Sequence, residues 1–180
     1  MTGIRKGLTK AEVALRWDPS PAGAPPHDLD LVAAAYAAED PHGTPVYLVH
    51  HGRRAPDGTV TLDRDSRTGQ GFGFDEVLIL ELGRMEPRLV RVVVGAVVQD
   101  GGEAKTFAEV PGTAFRVREG HTDLAADGFT AVAGASAATV AEFRREGGVW
   151  SFHPGLRGYT AGLDEFTALM GEAPSGTPGS

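Results

Sequence analysis

The sequence predicts an all-β domain, a sandwich of two antiparallel sheets that is followed by a short C-terminal helix. Apolar residues occur in short runs that Gly, Pro and Asp interrupt, which is typical of a two-sheet sandwich. Only residues 163–171, LDEFTALMG, have helical spacing. There Leu163, Phe166 and Met170 share one face, and Gly171 suits the C-cap of the helix.

The strands follow from alternation or from dense apolar content, taken in order along the chain. They are predicted at residues 11–17, 27–36, 45–51, 76–82, 88–98, 113–119, 129–132, 138–146 and 148–154. The Pro-rich segment 18–26 is predicted as a loop, and residues 100–110 fit no element clearly. Because 76–82 and 88–98 are nearly continuous in apolar residues, we expect both strands to be buried on both faces at the centres of the sheets. The expected aromatic core residues are Trp17, Phe129, Trp150 and Phe152.

Composition limits the classes of function that the chain can serve. Its 180 residues are expected to form one domain over 1–171 and a disordered tail over 172–180. A net charge of -7 argues against nucleic-acid binding, and the basic run His50-His51-Gly52-Arg53-Arg54 is interpreted as a solvated loop. The sequence has no cysteine, no apolar run of signal-peptide length and no membrane span, so we expect a cytoplasmic protein.

The segment 63–76, DRDSRTGQGFGFDE, places acids at both ends of a stretch in which Gly falls at every second position. Glycine adopts positive φ at little steric cost, so the segment can fold back and bring Asp63, Asp65, Asp75 and Glu76 together. Carboxylates at that distance repel each other unless a cation lies between them. The loop is therefore either a cation site or a polar turn.

Several segments, in this order, resemble the TerD family of bacterial tellurium-resistance and general stress proteins. They are Trp17-Asp18, Asp28-Leu29-Asp30, residues 65–76 (DSRTGQGFGFDE), TFAEV at 106–110, GGVWSF at 147–152 and GLRGYTAGL at 155–163. The resemblance covers nearly the whole chain up to about residue 171. It implies a calcium-binding β-sandwich linked to tellurite resistance and other stress responses, with no established catalytic activity.

The resemblance also implies a ligand set for one or two calcium ions. The residues that match the family pattern are Asp28, Asp30, Asp65, Gly71, Gly73, Asp75 and Glu76. Six residues at four places depart from that pattern: the His50-His51 pair, Ser66, Phe74 in place of an Asp, and Gly112-Thr113. On a regular strand His50 and His51 would point to opposite faces; beside the acids they would offer nitrogen ligands that suit zinc or nickel.

The expected function is that of a non-catalytic calcium-binding module that engages protein partners. Three alternatives stay open: a metal-free interaction scaffold of the same fold, a metal-assisted hydrolase, and a calcium-dependent sugar-binding sandwich. A hydrolase would need an open coordination position and a placed base, which spacing alone does not reveal.

Overall fold

A computed structural model describes residues 7–25, 27–64, 74–99 and 105–173, and it confirms the predicted sandwich of two antiparallel sheets with a C-terminal helix. The strands are β1 (Ala11–Arg16), β2 (Leu29–Ala37), β3 (Tyr47–Val49), β4 (Val60–Arg64), β5 (Glu76–Leu80), β6 (Leu89–Val98), β7 (Ala114–Glu119), β8 (Thr122–Gly128), β9 (Ala137–Glu146) and β10 (Val149–Tyr159), and helix α1 spans Leu163–Leu169. Among these residues, no helix is both long and apolar enough to cross a membrane.

The two sheets contain five strands each. The first sheet has the order β4-β5-β1-β7-β8 and the second has the order β10-β9-β6-β2-β3. Every neighbouring pair of strands is antiparallel. The edge strands β3 and β4 touch each other across one side of the sandwich. That side carries both candidate sites described below.

Strand β2 is buried along its whole length because its two faces pack against different partners. Leu29 and Leu31 face the first sheet and belong to the main core. Val32 and Tyr36 point the other way and pack with Phe166, at the base of α1. Phe166 and Met170 are fully buried and Leu163 is partly buried in this second cluster, so the predicted helical face is confirmed.

One predicted strand is wrong and two strands were missed. Within residues 129–132, Thr130–Val132 form a 3-10 turn rather than a strand, and the neighbouring strand is β8, which the sequence did not predict. β8 is largely exposed on both faces and has few β-branched residues, so it lacks the apolar signal that marks a strand. The short strand β4 was also missed, and residues 107–109 within the ambiguous segment form a further 3-10 turn.

Three further expectations are corrected by the sheet order, the burial of side chains and the end of α1. β6 lies at the centre of its sheet as predicted, but β5 lies next to the edge, and its residues alternate between buried and half-buried. The centre of the first sheet is β1 instead. Trp17, Trp150 and Phe129 are buried as expected, whereas Phe152 is partly buried against the core. Helix α1 has Met170 as its C-cap, and Gly171 is instead required because a Cβ there would overlap the Tyr36 side chain.

A buried ion pair ties the end of α1 to the second sheet. Arg91 on β6 is 3% exposed and pairs with Glu142 on β9. The Arg91 guanidinium also donates hydrogen bonds to the carbonyl oxygens of Gly171, at 2.6 Å, and Pro41, at 2.8 Å. Burial raises the pKa of Glu142, but Arg91 and Arg144 together outweigh it and leave that pKa below its usual range. The folded protein therefore keeps Glu142 ionised.

We expect Phe166→Ala to lower the free energy of unfolding by about 3–5 kcal/mol, because it empties the centre of the cluster between α1 and β2. Urea unfolding followed by circular dichroism measures this loss. Glu165→Ala, an exposed change on the same helix, is the matched control and should shift stability by less than about 0.5 kcal/mol. Equal losses in the two variants would contradict the packing that places α1 on the sheet.

We expect Glu142→Gln to lower the free energy of unfolding by about 3–5 kcal/mol, because it leaves the Arg91 charge buried without a counter-charge. The same unfolding measurement applies, with Glu146→Gln at the exposed end of β9 as the control for loss of a carboxylate. A loss as small as that of the control would show that solvent already compensates Arg91.

Candidate metal site

Asp75 and Glu76 stand at the beginning of β5, and both are buried, with exposures of 2% and 0%. Asp75 extends the pairing of β5 with β1: its backbone N–H donates to the Leu15 carbonyl at 2.8 Å. Its side-chain Oδ2 accepts the backbone N–H of Trp17 at 2.9 Å. The carboxylate thus takes the place of a backbone carbonyl where β1 leaves the sheet.

Glu76 connects the two sheets. Its side chain has the same orientation as the core residues Leu78 and Leu80, and its Oε1 accepts the backbone N–H of Leu31 on β2 at 3.2 Å. β3 pairs with β2 only at Ala33–Ala35, so Leu31 lies beyond its end. Glu76 therefore supplies, from the other sheet, the acceptor that β3 is too short to provide.

The electrostatic setting of Asp75 disfavours its negative charge. Burial raises the pKa of its carboxyl group above the usual range, and the negative charge of Asp18 adds to this. The hydrogen bond from Trp17 and the charge of Arg16 act in the opposite direction but do not cancel it. A cation close to Asp75 would favour the ionised form.

Asp30 lies on β2 and is completely buried. By alternation its side chain is on the face of β2 that points away from the first sheet, opposite to the side from which Glu76 arrives. It accepts a hydrogen bond from the Gln99 side chain and lies 3.5 Å from Nδ1 of His51. Asp28 directly precedes the strand, and its carbonyl accepts the Gln99 backbone N–H at 2.7 Å.

The two ends of the glycine-acid loop meet, as the sequence predicted. Arg64, the last residue of β4, is paired in register with Glu76, the first residue of β5. The predicted ligands Asp65, Gly71 and Gly73 belong to residues 65–73, which lie outside the described part of the chain. Within the described part, no three His, Asp or Glu side chains are close enough to hold a metal ion. A site with three such ligands therefore has to include residues outside the described part, such as Asp65 of the loop.

The described side chains at the base of the loop suit a hard cation. The donors supplied by Asp75 and Glu76 are carboxylate oxygens, and both side chains are buried. Calcium takes about six to eight oxygen ligands from carboxylates, carbonyls and water and tolerates irregular geometry. A glycine-rich loop can add such carbonyls, so the donor chemistry fits calcium.

The His50-His51 pair is placed differently from the prediction. β3 ends at Val49, so both histidines lie in a turn, and their rings line one cleft with centroids 5.6 Å apart. The expectation of opposite faces is therefore wrong. His51 does lie beside an acid, Asp30, but that single contact does not make a zinc or nickel site.

Two contacts at this end of the sandwich were missed in the sequence. Phe74 stands at a position where the family pattern has an acid. The guanidinium carbon of Arg116 lies 4.3 Å from the centroid of the Phe74 ring. Gln99, the residue after β6, donates a hydrogen bond to Asp30. Neither has a local signal, because each joins residues that are far apart in the chain.

Comparisons with known proteins agree with this architecture. The chain is 29% identical to the uncharacterized protein YceE of Bacillus subtilis over 175 residues, which are 91% of this chain and 88% of YceE. It is 28% identical to the tellurium resistance protein TerD of an Alcaligenes species over 164 residues, 88% of this chain and 85% of that protein.

Two crystal structures have the same fold. SAV2460, a protein of unknown function, superposes with a TM-score of 0.91 at 50% identity and covers 94% of this chain and 100% of its own. SCO6318 of Streptomyces coelicolor, described as a homologue of the telluride resistance protein TerD, gives 0.89 at 49% identity, with 93% and 100% covered. The family model of the TerD domain matches residues 1–169, and the chain therefore belongs to the TerD domain family.

Proposed function

We propose that this protein is a non-catalytic, calcium-binding module of a stress response, whose metal site stiffens the end of the sandwich that engages protein partners. The observation that carries the proposal is the pair of buried acids, Asp75 and Glu76, at the base of the glycine-acid loop. Two adjacent buried carboxylates at the end of a loop with further acids give a hard cation a site at which to bind.

The proposed ligands come from both ends of the loop. Asp75 and Glu76 provide carboxylate oxygens, Asp65 adds a third from the other end, and the backbone carbonyls of Gly71 and Gly73 complete the shell. Asp30, with Asp28 before it, is not included, because the Asp30 side chain lies on the opposite face of β2. Because Asp75 and Glu76 already hold the amides of Trp17 and Leu31, a bound ion would fix the two sheets relative to each other.

The biological context is part of the same proposal and is supported by the family. Two relatives, those of Alcaligenes and Serratia marcescens, are named tellurium resistance proteins. We extend that role to this chain as a response to tellurium compounds and related stress. The lack of cysteine is compatible with the reducing cytoplasm, where we place the protein.

One observation favours a second candidate, a metal-free interaction scaffold of the same fold. Phe74 brings a ring to the loop end where the family pattern has a carboxylate, and that ring already has a partner in Arg116. A cation–π contact of this kind holds the loop end without any ion. The two candidates differ in whether calcium changes the stability of the protein.

Chelator-treated protein is expected to melt at a higher temperature when calcium is added. A ligand at a hundredfold excess over its dissociation constant stabilises the native state by about 2.7 kcal/mol, which corresponds to roughly 5–10 °C for a chain of this size. Differential scanning calorimetry measures the shift, with magnesium as the control ion. Asp65→Asn should abolish the shift, whereas Asp63→Asn, an exposed acid on β4, should retain it. No shift in the wild type at millimolar calcium would favour the metal-free scaffold.

Asp75→Asn is expected to have opposite effects without and with calcium. In chelator, the raised pKa means that Asp75 binds a proton more readily in the native protein than in the unfolded chain. Its contribution to stability is therefore present below the usual aspartate pKa and is lost as the pH rises through the raised pKa. Asparagine removes this loss and can still accept the Trp17 amide. The free energy of unfolding of Asp75→Asn should therefore exceed that of the wild type across that pH window.

In saturating calcium the order should reverse, because only the wild type gains an ion. Unfolding curves from pH 4 to pH 8, with and without calcium, give both differences. Asp127→Asn, an exposed change on β8, should differ from the wild type in neither condition. A wild type that stays more stable than Asp75→Asn at every pH in chelator would contradict the proposed cost of the buried charge.

A further inference from the structure

The cleft lined by His50 and His51 opens on the side of the sandwich where β3 and β4 lie next to each other. We call it the edge cleft, and its volume is about 480 Å³. Its rim is the turn after β3, with His50, His51, Arg53 and Arg54, and β4 contributes Val60 and Leu62. The sequence showed the rim only as a basic run; the structure adds a concave apolar wall.

The turn that forms the rim is closed by backbone hydrogen bonds. The N–H of His50 donates to the carbonyl of Arg53 at 3.0 Å, and the N–H of Arg53 donates to the carbonyl of His50 at 2.9 Å. The Gly52 N–H donates to Nδ1 of His50 at 3.3 Å, which leaves the proton of the neutral ring on Nε2. The rim therefore offers an imidazole N–H donor beside the guanidinium groups.

The two arginines at the rim of the edge cleft carry positive charges that no ion pair in the described part of the chain compensates, whereas His51 lies against Asp30. Within residues 7–25, 27–64, 74–99 and 105–173, neither Arg53 nor Arg54 takes part in an ion pair, and no acid lines the cleft. Burial lowers the pKa of His50, the neighbouring charges of His51 and Arg53 lower it further, and the charge of Asp164 offsets only part of this. In a protein with a net charge of -7, such a cleft is a local site for anions.

The wall of the cleft is apolar. Val49 is 2% exposed, Val60 is 4% exposed and Leu62 is partly buried against the core. Sites for small ligands commonly combine such a wall with a few convergent polar groups, in a volume of roughly 300–1,000 Å³. The ligand that matches has an anionic group at one end and an apolar body at the other.

We propose that the edge cleft binds a small organic phosphate monoester, with its phosphate group held by Arg53 and Arg54 and its apolar body against Val60 and Leu62. Guanidinium groups match the oxygen geometry of a phosphate and can donate two hydrogen bonds each. Two guanidinium charges balance a dianion, which a phosphate monoester is near neutral pH and a carboxylate is not. The site is separate from the calcium proposal and does not depend on it.

The test is a calorimetric titration of phenyl phosphate into chelator-treated protein. Inorganic phosphate and phenylacetate are the comparison ligands, since each lacks one half of the proposed chemistry. Phenyl phosphate is expected to bind at one site per chain and at least about tenfold more tightly than either comparison ligand. The double variant Arg53→Gln, Arg54→Gln is expected to weaken its binding by at least about tenfold.

A matched double variant, Arg84→Gln with Arg88→Gln, removes the same charge from two exposed arginines elsewhere and should leave binding unchanged. Thermal melts of both variants confirm that they are folded. Absent saturable binding, equal weakening in the two double variants, or a phenylacetate affinity equal to that of phenyl phosphate would each overturn the proposal. Because calcium is stripped and the chelator, itself a polyanion, is removed before the titration, failure of calcium binding leaves this result intact.

Discussion

The end of the sandwich depends on two side-chain carboxylates that act as backbone acceptors. Buried N–H groups need partners, and both Trp17 and Leu31 lie where their strands run out of neighbours. Asp75, just before β5, accepts the Trp17 amide within its own sheet. Glu76, the first residue of β5, accepts the Leu31 amide of the other sheet. The separation of the sheets here is thus set by polar contacts rather than by apolar packing alone.

That arrangement has an electrostatic cost, which connects the fold to the proposed function. Buried carboxylates are costly in a low-dielectric interior, and hydrogen bonds to amides offset only part of the cost at Asp75. A protein that needed only the hydrogen bonds could use asparagine and glutamine here. Acids are the better choice where a cation joins them, since metal binding then becomes part of folding free energy.

The sequence predicted what is encoded locally and missed what depends on distant partners. β2, β6, β9 and α1 follow from apolar content and spacing, and the meeting of the loop ends follows from glycine and the acids. β8 has no apolar face to detect, and β5 carries the same residues as a central strand while lying next to an edge. The contacts of Asp30 with Gln99 and His51 join three separate elements, so no local pattern could indicate them.

Strand β4 links the two candidate sites. Its Val60 end forms a wall of the edge cleft, and its Arg64 end leads into the glycine-acid loop opposite Glu76. His51, at the rim of the edge cleft, contacts Asp30 on the face of β2 that points away from Glu76. Ligands of opposite charge bound at two such neighbouring sites would attract each other. Thermodynamic reciprocity would then require that any effect of one ligand on the affinity of the other be mutual.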